Sequence, residues 1–284
     1  MKHQTNESEL ATQLHQFAHQ QIETALDYAT NSAHDARLAV HETRRCLKRL
    51  RALLRLVRAA VGDTIYDRDQ RYLRDLGQRL AALRDATAMQ QTLDSLQNQA
   101  ANALSGKSWR AFKKGVRGRQ PRAEQILLVV AAKLKVARSR IMNWPLETAD
   151  ESLLRKALRK SYRQGRRARK VARVEPQPEH LHEWRKRVNQ LRHQLRILQI
   201  IQLVTEKEPL QRSRALVEAL GTYNDLAVLA ARLSQLKVDE RTSESQTLTQ
   251  LIQTAQTKEE ATAKQLGAKL YRHSAKAFLK ALSL

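Results

Sequence analysis

Two stretches of this chain repeat one another 141 residues apart. HETRRCLKRLRALLRLV runs from His41 to Val57, and HEWRKRVNQLRHQLRIL runs from His182 to Leu198, with seven of 17 positions identical. The likeness continues beyond them: LGQRLAALRDATAM (Leu76 to Met89) matches LVEALGTYNDLAVL (Leu216 to Leu229) at an offset of 140, with Asp85 opposite Asp225. Two copies at so long a period exclude a solenoid of 20 to 50 residue units and point to two related halves in one chain.

The halves read as helical. Gly and Pro number only eight and five, and Ala, Leu, Gln, Arg and Lys fill most positions, a composition that favours helix and offers no strand alternation of useful length. Turn-forming clusters at 30–35, 62–63, 104–108, 118–121, 143–147, 175–178, 207–209 and 238–245 delimit expected helices over 9–29, 35–61, 66–104 and 122–143. The second set covers 150–173, 179–205, 209–236 and 244–271, followed by a short terminal helix, and Pro121 and Pro209 suit first-turn positions. The expected fold is all-α: two pseudo-two-fold-related four-helix bundles in one compact unit. Residues 1–8 form a tail, 9–145 the first repeat and 146–284 the second.

His41, Arg44, Lys48, Arg51 and Arg55 are spaced 3, 4, 3, 4, which places them in a narrow ridge on one helix face. His182, Arg185, Asn189, Arg192 and Arg196 repeat that ridge. An apolar seam (Leu47, Leu50, Leu54 and Val57; Val188, Leu191, Leu195 and Leu198) lies about 120° around each helix, so each packs along one edge and presents cations along another. Acidic partners are missing in sequence: none follows Glu42 until Asp63, or Glu183 until Glu206. Ridge positions lie about 5 Å apart along the axis, a spacing suited to successive or alternate phosphates of a linear chain. Arginine matches such oxygens with a planar fork of donors.

The whole chain carries 52 Lys and Arg against 28 Asp and Glu, a net charge of +24, and half of that surplus falls between Arg155 and Arg196. An excess of this size destabilises a fold by self-repulsion and implies a polyanionic partner. Within the dense stretch, Arg159, Arg163, Arg166 and Lys170 make a further stripe. Its apolar side, Leu154, Leu158 and Tyr162, is too thin for insertion into a membrane surface. The longest apolar run, Ile126 to Ala132, is far too short to span a bilayer. A single cysteine, Cys46, excludes an intramolecular disulfide. With a polar N-terminus that lacks a secretory signal, these features give a cytoplasmic expectation.

Catalytic motifs fail on inspection. HETRR and HEWRK begin like the zinc protease sequence His-Glu-x-x-His, but Arg45 and Lys186 stand where the second histidine belongs. His180 and His182 point to different faces, no phosphate-binding loop of the GxxxxGK[ST] type exists, and no carboxylate cluster suits magnesium. No metal and no cofactor are expected. Asp85 and Asp225 are read as helix caps or as partners of an arginine on the repeated helices, and the repeated histidines as ligand-facing donors, as orienters of an arginine, or as packing groups.

The two His-x-x-Arg helices, RDATAM and YNDLAVL after them, YRQGRRA between the halves and LGAKLYRHSAKAFLKAL at the end together resemble the CHAD family, the conserved histidine α-helical domain. The resemblance covers nearly the whole chain. It implies two helical bundles about an internal two-fold, a basic central groove or pore, binding of inorganic polyphosphate, and association with polyphosphate granules. By position it implies His41, Arg44, Lys48, Arg49 and Arg51, then His182, Arg185, Lys186 and Arg192, as ligand groups. Arg45, Arg55, Tyr162, Arg163, Arg166, Arg167, Lys170 and Arg196 complete the candidate set. Asn189 and Gln190 depart from the basic residues usual there, which implies a weaker grip by the second ridge. ESELA lacks the Lys of the Glu-x-Glu-x-Lys motif that marks the triphosphate tunnel domain of many relatives, so a stand-alone, non-catalytic binding module is expected.

Nucleic acid is the rival ligand, because a cationic ridge answers any phosphate backbone. Three Trp, three Phe and six Tyr are few for base stacking, so nonspecific backbone contact is the form that rival takes. An acidic protein docked on the same surface is the third reading.

Overall fold

The structure is a computed structural model, and it describes residues 7–100, 107–117, 123–235 and 243–284. These residues form eleven helices and no strand. In order they are α1 (Glu7–Thr30), α2 (Ala36–Leu56), α3 (Arg58–Arg79), α4 (Ala81–Gln99), α5 (Lys107–Arg117) and α6 (Ala123–Met142). They continue with α7 (Glu151–Val174), α8 (Pro178–Ile200), α9 (Glu208–Gln235), α10 (Ser243–Leu270) and α11 (Ala275–Lys280).

Helix starts follow local chemistry. The Asp35 carboxylate accepts from the backbone N–H groups of Arg37 and Leu38 to begin α2, and Asp150 accepts from Leu153 N–H to begin α7. Pro178 opens α8, where a missing N–H costs nothing. Pro209 falls second in α9 as expected, whereas Pro121 lies outside the described residues, as does most of the expected tail.

Two expected helices are broken. Val57 (φ −95°, ψ 13°) ends α2 before residue 61, and Gly62 inside α3 adopts φ 78°, a backbone that glycine alone enters without strain. The helix expected over 66–104 bends at Leu80 (φ −88°, ψ −1°), a fully buried residue with no glycine or proline beside it. Tertiary packing, rather than a local breaker, imposes that bend. Helix α5 was not expected at all. Its Trp109 and Phe112 are buried.

The main core is continuous from Leu10 to Leu284 and draws on both halves of the chain. Helix α1 packs on α2 and α6, and α2 on α3; α7 to α10 pack in series; α2 lies against α8 across the junction. A second, smaller core joins α4 and α5 to α9 and α10 through Leu93, Leu96, Trp109, Phe112, Leu226, Leu229, Leu248 and Ile252. The repeated helices are therefore neighbours, and α4 reaches over to α9 beside them.

Candidate functional site

Each repeated helix buries its apolar seam and turns its ridge from the core. Leu47, Leu50, Leu54 and Val57 are buried on α2, as are Val188, Leu191, Leu195 and Leu198 on α8. The ridges converge between the two helices. Lys48 lies within electrostatic reach of Arg44 on its own helix, Arg185 and Arg192 on α8, and Arg84 on α4. Arg49 feels Arg196, and Arg192 feels Arg45, Arg49, Arg185 and Arg214.

Lys48 is exposed at its surface, yet protein atoms surround it closely enough to desolvate its ammonium. Desolvation first, and the four guanidiniums second, push its ammonium pKa down to about 7. Desolvation likewise lowers Arg44, Arg49, Arg55, Arg185 and Arg192, and brings Arg51 to about 10. Arginine remains charged through such shifts, so the lowering reflects the cost of holding these cations partly out of water. Beside them His193 is buried, and burial together with Arg192, Lys48, Arg49 and Arg45 holds it well below its ordinary pKa, hence neutral. Its Nε2 lies 3.4 Å from Arg192 Nη2, a donor to it in that state.

The ridges are not wholly without partners. Arg45 pairs with Glu42 at 2.8 Å and Lys186 with Glu183 at 2.7 Å. Arg49 donates to Gln21 Oε1 and Arg51 to Gln70 Oε1, both neutral acceptors. Arg44 donates to the Gly77 carbonyl in the last turn of α3, capping the electronegative end of that helix. Among the described residues Lys48, Arg185, Arg192 and Arg196 form no ion pair within 4 Å. The cations that meet between α2 and α8 are thus the ones left without a direct acidic partner.

Asp85 and Asp225 cap no helix; both lie within one, α4 and α9. Their direct partner is Arg84 rather than an arginine of the repeated helices. Its guanidinium donates to both oxygens of Asp225 at 3.3 Å and to Asp85 at 3.4 Å, while Arg44 and Arg185 feel the carboxylates at longer range. Of the repeated histidines, His182 joins Nδ1 to Asn224 Oδ1 at 2.6 Å, and exposed His41 lies 3.8 Å from Glu42.

The α7 candidates stand apart. Ser161 and Gln164 face α8, where they accept from Gln190 and Arg187. Arg163, Arg166 and Lys170 lie roughly half a turn around the helix from Ser161; they and Arg167 are exposed. Tyr162 is not a ligand group. It is fully buried, its hydroxyl donates to the Leu270 and His273 carbonyls at 3.2 and 3.0 Å, and its ring stacks on Phe278. Sequence reasoning missed Arg84, His193 and Asn224. The one available signal was that Arg84-Asp85 aligns with Asn224-Asp225 in the repeat. A hollow of about 460 Å³ lies elsewhere, between α3 and α6 beside Arg68, Arg71 and Arg140, and it mixes both signs of charge.

An all-helical chain with a duplicated helix, whose two copies pack together and bring their cations near one another, defines a class, and comparison identifies it. The CHAD domain family matches residues 10–234, and the chain belongs to that family. No curated protein matches. Among solved structures, PptA from Streptomyces chartreusis is similar with a TM-score of 0.65 at 16% identity, covering 91% of this chain and 99% of that one. The CHAD domain from the plant Ricinus communis is similar with a TM-score of 0.55 at 18% identity, covering 96% of this chain and 91% of that one. At these identities the likeness speaks for the fold. No helix among the described residues is long and apolar enough to cross a membrane.

Proposed function

We propose that this protein binds inorganic polyphosphate in the groove between α2 and α8, without catalysis, in the cytoplasm and at polyphosphate granules, with 9–145 and 146–284 as the two repeats that build the groove. The observation that carries the reading is the convergence of Lys48, Arg44, Arg84, Arg185 and Arg192 from three helices with so little acidic compensation. Packed cations repel, and a linear chain of phosphates supplies one counter-charge per unit along both ridges. Each phosphate also offers oxygens in the geometry a guanidinium prefers. An open groove suits a polymer that extends past both ends of its site. His41, Arg45, Arg49, Arg51, Arg55, His182, Lys186 and Arg196 extend the contact from that centre, and the exposed α7 stripe is a separate basic surface.

The test is competition at equal phosphate concentration and fixed salt. Labelled long-chain polyphosphate bound to the protein is challenged with unlabelled polyphosphate, duplex DNA or RNA. Displacement by polyphosphate alone is expected. Equal displacement by duplex DNA or RNA refutes the assignment in favour of a general backbone binder, and retention of an acidic protein after polyphosphatase treatment favours a docking scaffold.

A further inference from the structure

Arg84-Asp85 on α4 and Asn224-Asp225 on α9 occupy equivalent steps of the two copies, and in the fold they meet. Arg84 grips both oxygens of Asp225. Asn224 donates to Asp225 Oδ1 at 3.5 Å while its own oxygen lies 2.6 Å from Nδ1 of the ridge histidine His182. A polar chain thus runs from the ridge of α8, through Asn224 and Asp225, to an arginine that also acts on Lys48. The Arg84–Asp225 pair is partly open to solvent, with side chains 30% and 21% exposed. A carboxylate in bidentate contact with a guanidinium at the groove imitates what a phosphate there would do.

Resting on the polyphosphate reading, we propose that Asp225 is a resident counter-ion: it holds Arg84 in the empty protein, and the ligand takes Arg84 from it on binding. A partly exposed ion pair contributes little net stability, so a chain that gains several contacts along two ridges readily takes one arginine from its carboxylate. The same carboxylate reduces repulsion among the groove cations while the groove is empty. Asp225 therefore stabilises the free protein at the expense of affinity. A residue that merely positions Arg84 for the ligand has the opposite effect on affinity, so the sign of one substitution decides.

Asp225→Asn keeps the shape of the side chain and removes its charge. Titration calorimetry with polyphosphate of defined length is expected to show a two- to fivefold tighter complex, the fold-change equivalent of one exposed ion pair. The thermal midpoint of the free protein should fall. Asp63→Asn, the same charge change at a surface pair with Arg58, should leave both values near wild type. In an Arg84→Gln background the Asp225 substitution should no longer tighten binding. Weaker binding by Asp225→Asn, or equal tightening with and without Arg84, overturns the proposal. If the wild type shows no affinity for polyphosphate, the functional reading fails, and sulfate then probes the clasp: Asp225→Asn must bind it more tightly than wild type, and equal or weaker binding overturns the proposal on its own.

Discussion

On the proposed function, Lys48 should make polyphosphate binding a proton-linked event. Desolvation and the surrounding guanidiniums push its pKa down to about 7, so near neutral pH about half of the molecules should carry an uncharged amine between α2 and α8. A bound phosphate chain would neutralise Arg44, Arg84, Arg185 and Arg192 around it and add a direct partner, which would return the ammonium toward its ordinary value of 10.5. Binding at pH 7 should then take up about half a proton, and affinity should fall up to about tenfold between pH 6 and pH 8. Screening at the open side of the groove makes the change smaller at high salt.

The sign for folding is the reverse. A lysine whose folded pKa lies below its unfolded value binds fewer protons when folded, so this group's contribution to stability rises as pH climbs from about 7 toward 10.5. The assay is titration calorimetry in buffers of different ionisation enthalpy, with Lys48→Arg as the control that keeps the charge and removes the titration. Any pH dependence shared by both proteins belongs to other groups, the ridge histidines included. If the two take up the same number of protons at pH 7, the crowding of Lys48 by guanidiniums does not govern its charge, and the account of the groove floor is wrong.

Paired Arg44→Ala and Arg185→Ala substitutions should weaken polyphosphate binding and flatten its dependence on salt by about two contacts while leaving far-ultraviolet dichroism unchanged; undiminished affinity would remove the ridges from the contact surface. A methyl group at Gly267 would lie 2.4 Å from Trp184 Cζ2 in the core, so Gly267→Ala should cost about 1–3 kcal/mol in urea unfolding. Tyr162→Phe should lose about 1 kcal/mol of stability with its two carbonyl acceptors left unpaired, and leave polyphosphate affinity untouched; reduced affinity at full stability would restore Tyr162 to the site.

The parts of the fold that announce themselves locally were legible. Helix α7 matches its expectation to within one residue at each end because Asp150 caps it and apolar positions recur at helical spacing. The bend at Leu80 was not, since nothing in the neighbouring residues breaks a helix and the cause is burial against distant ones. Helix α5 hid between two glycine-containing clusters that read as one long interruption. Periodicity and repetition exposed the ridges, but for Arg84 repetition marked only the step it shares with Asn224: its carboxylate partner is 141 residues distant, and only the fold brings α4 to α9. Tyr162 was misassigned for a related reason. It entered the candidate set with the family resemblance although it lies on the apolar side of its helix, and the two carbonyls that claim its hydroxyl belong to the far end of the chain.

Facing duplicated cationic helices toward one another sets like charge against like, and the differences between the copies show how the apposition is tolerated. Lys48 and Arg49 in the first copy correspond to Asn189 and Gln190 in the second, and Gln190 donates to Ser161 Oγ at 2.9 Å. Buried Ala52 corresponds to His193, which burial and surrounding cations keep neutral. What reads in the sequence as a weakened second ridge is, in the fold, two fewer charges on a helix already crowded by the cations around Lys48. Restoring the first copy's charges with Asn189→Lys and Gln190→Arg should therefore lower the thermal midpoint of the free protein. Saturating polyphosphate should recover much of the loss, because the added cations gain a partner. A midpoint that does not move when two positive charges enter α8 would mean that the copies diverged there for reasons unrelated to repulsion.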